Sequence, residues 1–298
     1  VEPLKGPALA EFYVDRKSDA LGEMEKRLRV AREDEPIKLL LTGQIGCGKS
    51  TELNQLTERL RRQYFIVPFS AHRLLSLAEI TYVDLLLGMA TTLFREATDS
   101  EVIAKAPAQI LGEVLEDVQL FIERTVLGSL PYRAPAPKAE VSLKVNLLAA
   151  ELQTKFITEG YTRDDIRQRL ERRVGELIEK INLMAEQVRL KYHRPVLFIV
   201  EGTDKPDRER ARAMFLDHGE SLTSPLASII YTFPLDLRYS PEFNDIQARF
   251  AESFFLPNIR LRHKNGHLDD EGHHQLSAVI AQRMAGDLID PQAREMLI

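Results

Sequence analysis

The chain has 298 residues, of which 44% are hydrophobic and 29% are charged, and its formal net charge is −5. This composition supplies enough apolar sequence for one large domain, or two modest ones, with a sizeable core. The negative charge argues against a surface that coats nucleic acid, although a local basic strip could still contact it. Cys47 is the single cysteine and no apolar run is long enough to cross a membrane, so we expect a cytoplasmic protein with neither an internal disulfide nor a membrane partner.

The chain begins with Val1 rather than methionine, and it ends at Ile298 inside a helical pattern. We therefore expect it to be a fragment of a longer protein. In that case, self-association or binding of a protein partner would use regions that lie outside this sequence.

The first predicted strand is the apolar run Ile37–Thr42, which stops at a glycine. Leucines at helical spacing follow it and predict a helix over residues 50–62. A second strand is predicted over residues 64–70, although Pro68 weakens this prediction because proline cannot donate a ladder hydrogen bond. Apolar residues on one face then predict a helix over residues 79–97.

Residues 100–195 precede the next strong strand and are predicted to form a helical insertion. Within them, residues 141–147 alternate between apolar and polar side chains, which suggests a strand, although the residues that follow also suit a helix. Apolar residues from Ile166 to Val188 recur at spacings of four and three, which predicts one long amphipathic helix. This helix would pack on its own domain or, less readily, on a coiled-coil partner.

Three more strands are predicted, over residues 196–200, 228–232 and 254–261, of which the last has the weakest pattern. From Leu276 onward the pattern is helical again. Strands that alternate with helices predict an α/β fold, with a mostly parallel sheet covered by helices on both faces.

The clearest motif runs from Gly43 to Ser50 and fits G-x-x-x-x-G-K-[ST] without a mismatch. It follows a predicted strand and opens a predicted helix, as a phosphate-binding loop requires. Glycines allow successive backbone amides to point at phosphate oxygens, and the helix N-terminus adds a positive field. The alternative is a glycine-rich turn with an exposed lysine, which explains neither the spacing nor the flanking elements.

Each position of this loop has an expected role. Lys49 would contact the β- and γ-phosphates, Ser50 would ligate Mg²⁺, and Thr51 would contact the α-phosphate. The remaining positions would bind the nucleotide through the backbone, and these are Gly43, Gln44, Ile45, Gly46, Cys47 and Gly48.

A phosphate loop also needs a carboxylate at the end of a neighbouring strand to hold the Mg²⁺ shell. The apolar strand Val196–Val200 is followed by Glu201, which occupies the place of the usual aspartate, and Asp204 follows shortly after. We predict that Glu201 helps to hold Mg²⁺, and that either Glu201 or Asp204 polarises the attacking water or hydrolysis is slow. The alternative is a buried strand that ends in an ordinary polar turn.

These motifs, in this order, resemble those of the AAA+ and STAND ATPases, including the relatives of origin-recognition and KAP-type NTPases. The resemblance implies a P-loop NTPase with three αβα layers, a mostly parallel five-stranded sheet, a helical insertion and a truncated helical lid. It divides the chain into an N-terminal adenine-side segment (1–36), an ATPase core (37–262, with the insertion at about 100–195) and the start of a lid subdomain (263–298).

The same resemblance implies further site residues. Tyr13 and Val14, in the segment Phe12-Tyr-Val-Asp-Arg16, would pack on the adenine. Thr232 would take the place of the polar sensor 1 residue. Arg249 would be an arginine finger that reaches a neighbouring subunit, the alternative being a surface arginine or one paired with Glu252.

The implied function is that of an ATP- and Mg²⁺-binding switch of conformation or oligomerisation within a larger signalling or defence protein. Many AAA+ proteins have an Asp-Glu pair at the end of the second motif, whereas this chain has Gly202 at the second position. That difference favours a second hypothesis, a nucleotide-gated interaction module without hydrolysis. A third hypothesis, a DNA-engaged loader or transposition-type ATPase, predicts salt-sensitive DNA binding.

Overall fold

The fold is an α/β sandwich, seen in a computed structural model that describes residues 3–16, 18–32, 34–71, 79–98, six positions between 117 and 125, and 160–283. The strands are β1 (Lys38–Thr42), β2 (Phe65–Ser70), β3 (Val196–Glu201), β4 (Ser228–Phe233) and β5 (Glu252–Phe255). The helices of the described residues are α1 (Pro7–Phe12), α2 (Asp19–Val30), α3 (Lys49–Leu60), α4 (Tyr82–Thr98), α5 (Gly160–Glu171), α6 (Val174–Tyr192), α7 (Arg208–Arg212), α8 (Gly219–Thr223), α9 (Leu235–Arg238), α10 (Phe243–Gln247) and α11 (Asp270–Arg283), with a π-helical turn at Ala213–Asp217.

The five strands form one sheet in the order β2-β3-β4-β1-β5, and every neighbouring pair is parallel. This confirms the predicted α/β class and the five-stranded sheet. The strand predicted over residues 254–261 is shorter and begins earlier, as β5. Because the strands are parallel, their carboxyl ends meet at a single edge of the sheet, which is where ligands bind in open α/β folds.

Apolar side chains that alternate in direction along the strands form two cores, one on each face of the sheet. Leu39 and Leu41 of β1 pack with the side chains of α2 and α3, whereas Leu40 packs with those of α4 and α6 on the other face. Strand residues alternate in this way because successive side chains point to opposite faces. The helices therefore lie on both sides of the sheet, consistent with a three-layer αβα arrangement.

The single long helix predicted from Ile166 to Val188 is wrong in one respect, because α5 and α6 are separate helices. The chain turns at Arg172 and Arg173, and the Arg173 amide donates to the Leu170 carbonyl at 2.9 Å. The Arg173 guanidinium also donates to the Thr125 hydroxyl at 2.6 Å and lies over the Phe121 ring. These tertiary contacts explain the break, while the predicted apolar positions are buried in both helices except Val174, which is half-buried.

Five arginines around α5 form a local basic strip, and these are Arg163, Arg167, Arg169, Arg172 and Arg173. Arg167 is 12% exposed, and its guanidinium lies on the buried Asp84 carboxylate, with Nε 3.0 Å from each carboxylate oxygen. Arg169 pairs with Asp165 of its own helix, and Arg173, in the turn, pairs with Glu176 of α6. Three of the five arginines of the strip therefore have acidic partners.

The beginning of the chain lies against its last described helix. The Gln282 side chain donates to the Glu11 carbonyl at 2.6 Å, and the Asn54 side chain of α3 donates to the Leu4 carbonyl at 2.7 Å. The N-terminal segment is thus held between α3 and α11. The predicted strand over residues 141–147 and the end of the predicted lid, residues 284–298, lie outside the described residues. Among the described helices, none is long and apolar enough to cross a membrane.

Lys38 provides a test of the packing at the start of β1, where burial lowers its pKa from 10.5 to about 8. A folded-state pKa below the unfolded value means that the charged lysine destabilises the fold below pH 8. This penalty fades as the pH rises from about 8 to about 10.5. We expect Lys38→Met to raise the free energy of unfolding at pH 7 by about 1–3 kcal/mol, and by much less at pH 10.

Urea unfolding of both proteins at the two pH values measures this difference. Lys264→Met, at an exposed position, is the matched control and should change the unfolding free energy little at either pH. Destabilisation of the Lys38→Met protein at pH 7 would show that the ammonium is stabilised by its surroundings, which contradicts the expectation.

Candidate functional site

The segment from Gly43 to Ser50 leaves the carboxyl end of β1 and runs directly into α3. Gly46 and Gly48 have positive φ angles of 85° and 94°, and Gly48 is the N-cap residue of α3. This left-handed geometry favours glycine at both positions, because a side chain would strain the backbone. The loop therefore has the backbone form that lets consecutive amides line a concave surface.

Lys49 is buried beneath this loop, with 8% of its side chain exposed. Its ammonium donates to the Gly43 carbonyl at 2.8 Å and to the Gln44 carbonyl at 3.0 Å. The third contact is with a carboxylate oxygen of Asp204, at 2.9 Å. An ammonium has three hydrogen-bond donors, so these three acceptors account for all of them.

Asp204 lies in the turn that follows β3. The turn begins at Gly202, whose φ of 87° favours glycine, and it closes with a hydrogen bond from the Lys205 amide to the Gly202 carbonyl. The sequence has Gly202 where the resemblance led us to expect a glutamate. The positive φ gives a conformational reason, because a glutamate side chain would strain the backbone here. The turn brings Asp204 to Lys49 from a strand that is not adjacent to β1.

Thr232, near the end of β4, anchors the same turn. Its hydroxyl accepts a hydrogen bond from the Thr203 amide at 3.1 Å, and the Thr203 hydroxyl bonds to the Thr232 carbonyl. Both threonines are buried. The sequence placed Thr232 at the site but gave no sign of its partner Thr203, because an isolated threonine in a polar turn has no distinctive pattern.

Glu201 ends β3 in register with Ser70 of β2, at the same edge of the sheet as the loop. Its side chain is half-buried, as are Ser50 and Thr51 in the first turn of α3. Among the described residues, no group of three or more His, Cys, Asp or Glu side chains could hold a metal ion. That is compatible with Mg²⁺, which is usually held by one or two protein groups together with phosphates and water.

The tip and the base of the loop differ in exposure. Ile45 is 83% exposed, and the Gln44 side chain accepts a hydrogen bond from Asn258, beyond β5. Cys47 is buried and packs with the core on the α2 and α3 face. The cysteine therefore fills space under the loop, while the tip is open to a ligand or to solvent.

Tyr13 and Val14 lie beside the first turns of α3. The Tyr13 hydroxyl donates to a carboxylate oxygen of Glu52 at 3.0 Å, and Val14 is half-buried. Burial, followed by the neighbouring Glu52 carboxylate, raises the pKa of Tyr13. Burial also raises the pKa of Glu52, whose side chain the sequence did not single out. The contact fixes the N-terminal segment next to the loop.

Arg16 is a further residue that sequence reasoning missed as part of the site. Its guanidinium donates to the Cys47 carbonyl within the loop and to the Pro257 carbonyl after β5. Its own carbonyl accepts from the Gln275 side chain of α11 at 3.4 Å. Arg16 thus links the loop, the segment after β5 and α11. An arginine 31 positions before its partner has no local sequence signal.

The contact with Arg16 also orients the loop. In a trans peptide the carbonyl and the following N–H point in opposite directions. Because the Cys47 carbonyl points at the guanidinium, the Gly48 N–H must point away from it. We infer that Arg16 fixes this peptide plane and so helps to aim a loop amide.

Arg249 lies at the opposite edge of the sheet. It lies two residues before Ala251, whose amide donates to the Lys38 carbonyl at the beginning of β1. The guanidinium donates to the Leu216 carbonyl of the π-helical turn. The alternative pairing with Glu252 is wrong, because Glu252 pairs with Arg27 at 2.6 Å. In its own chain Arg249 is remote from the loop, and its role toward a neighbouring subunit stays a prediction.

The role of Arg16 can be tested with pyrophosphate as the probe. We expect Arg16→Met to weaken pyrophosphate binding by about tenfold, because the loop peptide loses its charge-assisted partner. The pyrophosphate affinity of Arg16→Lys should lie between those of the wild type and Arg16→Met, since an ammonium keeps the charge but cannot bridge both carbonyls in the same way. Isothermal titration calorimetry gives the affinities.

Arg27→Met is the matched control, because it removes an exposed ion pair between α2 and β5 and should leave the affinity unchanged. Thermal unfolding of each variant separates a loss of affinity from a loss of stability. Wild-type affinity in a folded Arg16→Met protein would contradict the proposed orientation of the peptide.

The comparisons with known proteins add no family to this description. No protein-family model matches the chain, and no curated protein matches it either. An assignment of function therefore depends on the motif and on the geometry around Lys49.

Proposed function

We propose that this chain binds ATP with Mg²⁺ through the loop Gly43–Thr51 and acts as a nucleotide-dependent switch of the AAA+/STAND-like type. The observation that carries the proposal is the form of the loop. It connects a buried parallel strand to a helix N-terminus through left-handed glycines, with the Lys49 ammonium held beneath it.

This arrangement suits a polyphosphate on physical grounds. Backbone amides of the loop and the first turn of α3 supply donors that are otherwise unsatisfied at a helix start. The helix dipole and the Lys49 charge both favour an anion at this end of α3. A carboxylate or a single phosphate could use part of the same field, but the length of the loop favours a chain of phosphates.

Mg²⁺ fits the side chains that the fold brings to this edge. Ser50 lies in the first turn of α3, and Glu201 is the last residue of β3. The hydroxyl and the carboxylate are both hard oxygen donors of the kind that Mg²⁺ prefers. When bound, the metal would neutralise charge on the phosphates. Ser50 and Glu201 would orient its water shell, and Lys49 would hold the phosphate oxygens.

The switch would act through the elements that meet at Arg16. The N-terminal segment with Tyr13 and Val14, the loop, the segment after β5 and α11 are joined there by hydrogen bonds. A nucleotide that binds in the loop would alter these hydrogen bonds and so change the position of α11. Larger regions or a neighbouring subunit, contacted through Arg249, would respond to that change.

A second candidate is a module that binds nucleotide without hydrolysing it. The backbone at Gly202 favours this reading, because its positive φ disfavours a glutamate at the position where many AAA+ proteins carry one. Glu201 or Asp204 would have to polarise the water instead. Asp204 would first have to leave Lys49, with which it is paired.

ATP binding can be tested with a variant at Lys49. We expect Lys49→Met to weaken ATP binding about a hundredfold, because an ammonium that contacts phosphate oxygens is lost. Lys205→Met changes an exposed lysine in the adjacent turn and should bind ATP like the wild type. Fluorescence anisotropy with a labelled ATP analogue measures the affinities, and wild-type protein that binds no ATP at millimolar concentration would refute the proposal.

Release of inorganic phosphate distinguishes the two candidates. If the chain hydrolyses ATP, steady-state release should be abolished in Lys49→Met, and it should rise more than linearly with protein concentration if Arg249 acts on a neighbour. Tight ATP binding with no release at any protein concentration would reject the ATPase and support the binding module.

A further inference from the structure

We propose that Asp204 sets the affinity of the loop for phosphates by occupying the Lys49 ammonium, so that an incoming ligand must displace it. This inference rests on the function proposed above. It assigns to Asp204 a role in phosphate affinity that is distinct from polarising water.

The donors of the Lys49 ammonium are fully used. Lys49 has three ammonium hydrogens, and they face the carbonyls of Gly43 and Gln44 and the carboxylate of Asp204. A phosphate oxygen cannot gain a full hydrogen bond from this ammonium unless one acceptor leaves. The two carbonyls belong to the loop itself, so the Asp204 side chain is the acceptor that can leave most readily.

The contact between Lys49 and Asp204 is buried. The side chains of Lys49 and Asp204 are 8% and 7% exposed, so water screens their attraction only weakly. An ion pair of this kind holds together more strongly than one on the surface. A ligand therefore has to overcome the attraction between the two side chains as well as lose its own hydration.

Hydrogen bonds fix the backbone of the turn that carries Asp204. Thr203 is hydrogen-bonded to Thr232 through both its amide and its hydroxyl, and the turn closes on Gly202. Asp204 can then leave Lys49 only by rotating its own side chain or by a change at Gly202. Thr232 acts on the loop indirectly, as a positioning residue that keeps Asp204 against the lysine.

A ligand that shares the lysine without displacing Asp204 would gain little. Its phosphate oxygens would lie close to a carboxylate of the same charge, with little water between them, and the repulsion would offset the attraction of the lysine. Whether the ligand displaces Asp204 or shares Lys49 with it, we expect removal of the Asp204 charge to strengthen phosphate binding.

The experiment measures binding of pyrophosphate and of ATP in the presence of EDTA, by isothermal titration calorimetry, to the full chain. Without Mg²⁺, any contribution of Asp204 to a metal shell is removed from the measurement. We expect Asp204→Asn to bind both ligands about tenfold more tightly than the wild type. Asp204→Ala should change the affinity in the same direction, which guards against an effect peculiar to asparagine.

Asp207→Asn is the matched control. Asp207 caps α7 just beyond the same turn, and asparagine can also cap a helix, so the affinity should not change. If the wild type binds and neither Asp204 variant binds more tightly while both remain folded, the inference fails and the proposed function stands. If neither the wild type nor the variants bind either ligand in EDTA, the inference fails, and the binding of ATP with Mg²⁺ to the wild type decides the proposed function separately.

Discussion

The parallel pairing of β3, β4 and β1 is the constraint on which the candidate site depends. It places the loop after β1, the Thr232 end of β4 and the turn after β3 at one edge of the sheet, although they are far apart in the sequence. Within this frame the buried contact between Lys49 and Asp204 joins β1 to β3 across β4. A different strand order would separate the two side chains, and the loop would then lie above a different set of side chains.

Local patterns were sufficient to predict the loop, the approximate positions of the five strands and the α/β class. The motif at Gly43–Ser50 is defined by spacing alone, and buried parallel strands are apolar runs, so both are visible along the chain. Arg16, Thr203 and the partner of Asp204 could not be predicted in this way, because their contacts span long sequence separations. The break between α5 and α6 was missed for a similar reason, since Arg173 is held by Phe121 and Thr125 rather than by any local signal.

The geometry separates two demands that a nucleotide site must meet. Binding needs the loop amides and the Lys49 charge, and the fold provides both in a form that suits phosphates. Cleavage would also need a carboxylate placed on the attacking water. The positive φ of Gly202 disfavours a side chain at that position, and Asp204 is paired with Lys49 until a ligand displaces it.

The most direct test of this account is a crystal structure of the chain with Mg²⁺ and a non-hydrolysable ATP analogue. The account predicts that the phosphates lie along the amides of residues 46–50, and that the Lys49 ammonium contacts phosphate oxygens in place of the Asp204 carboxylate. An analogue bound elsewhere in the fold would contradict the proposed function. Phosphates bound in the loop while the contact between Lys49 and Asp204 persists would contradict the proposed role of Asp204.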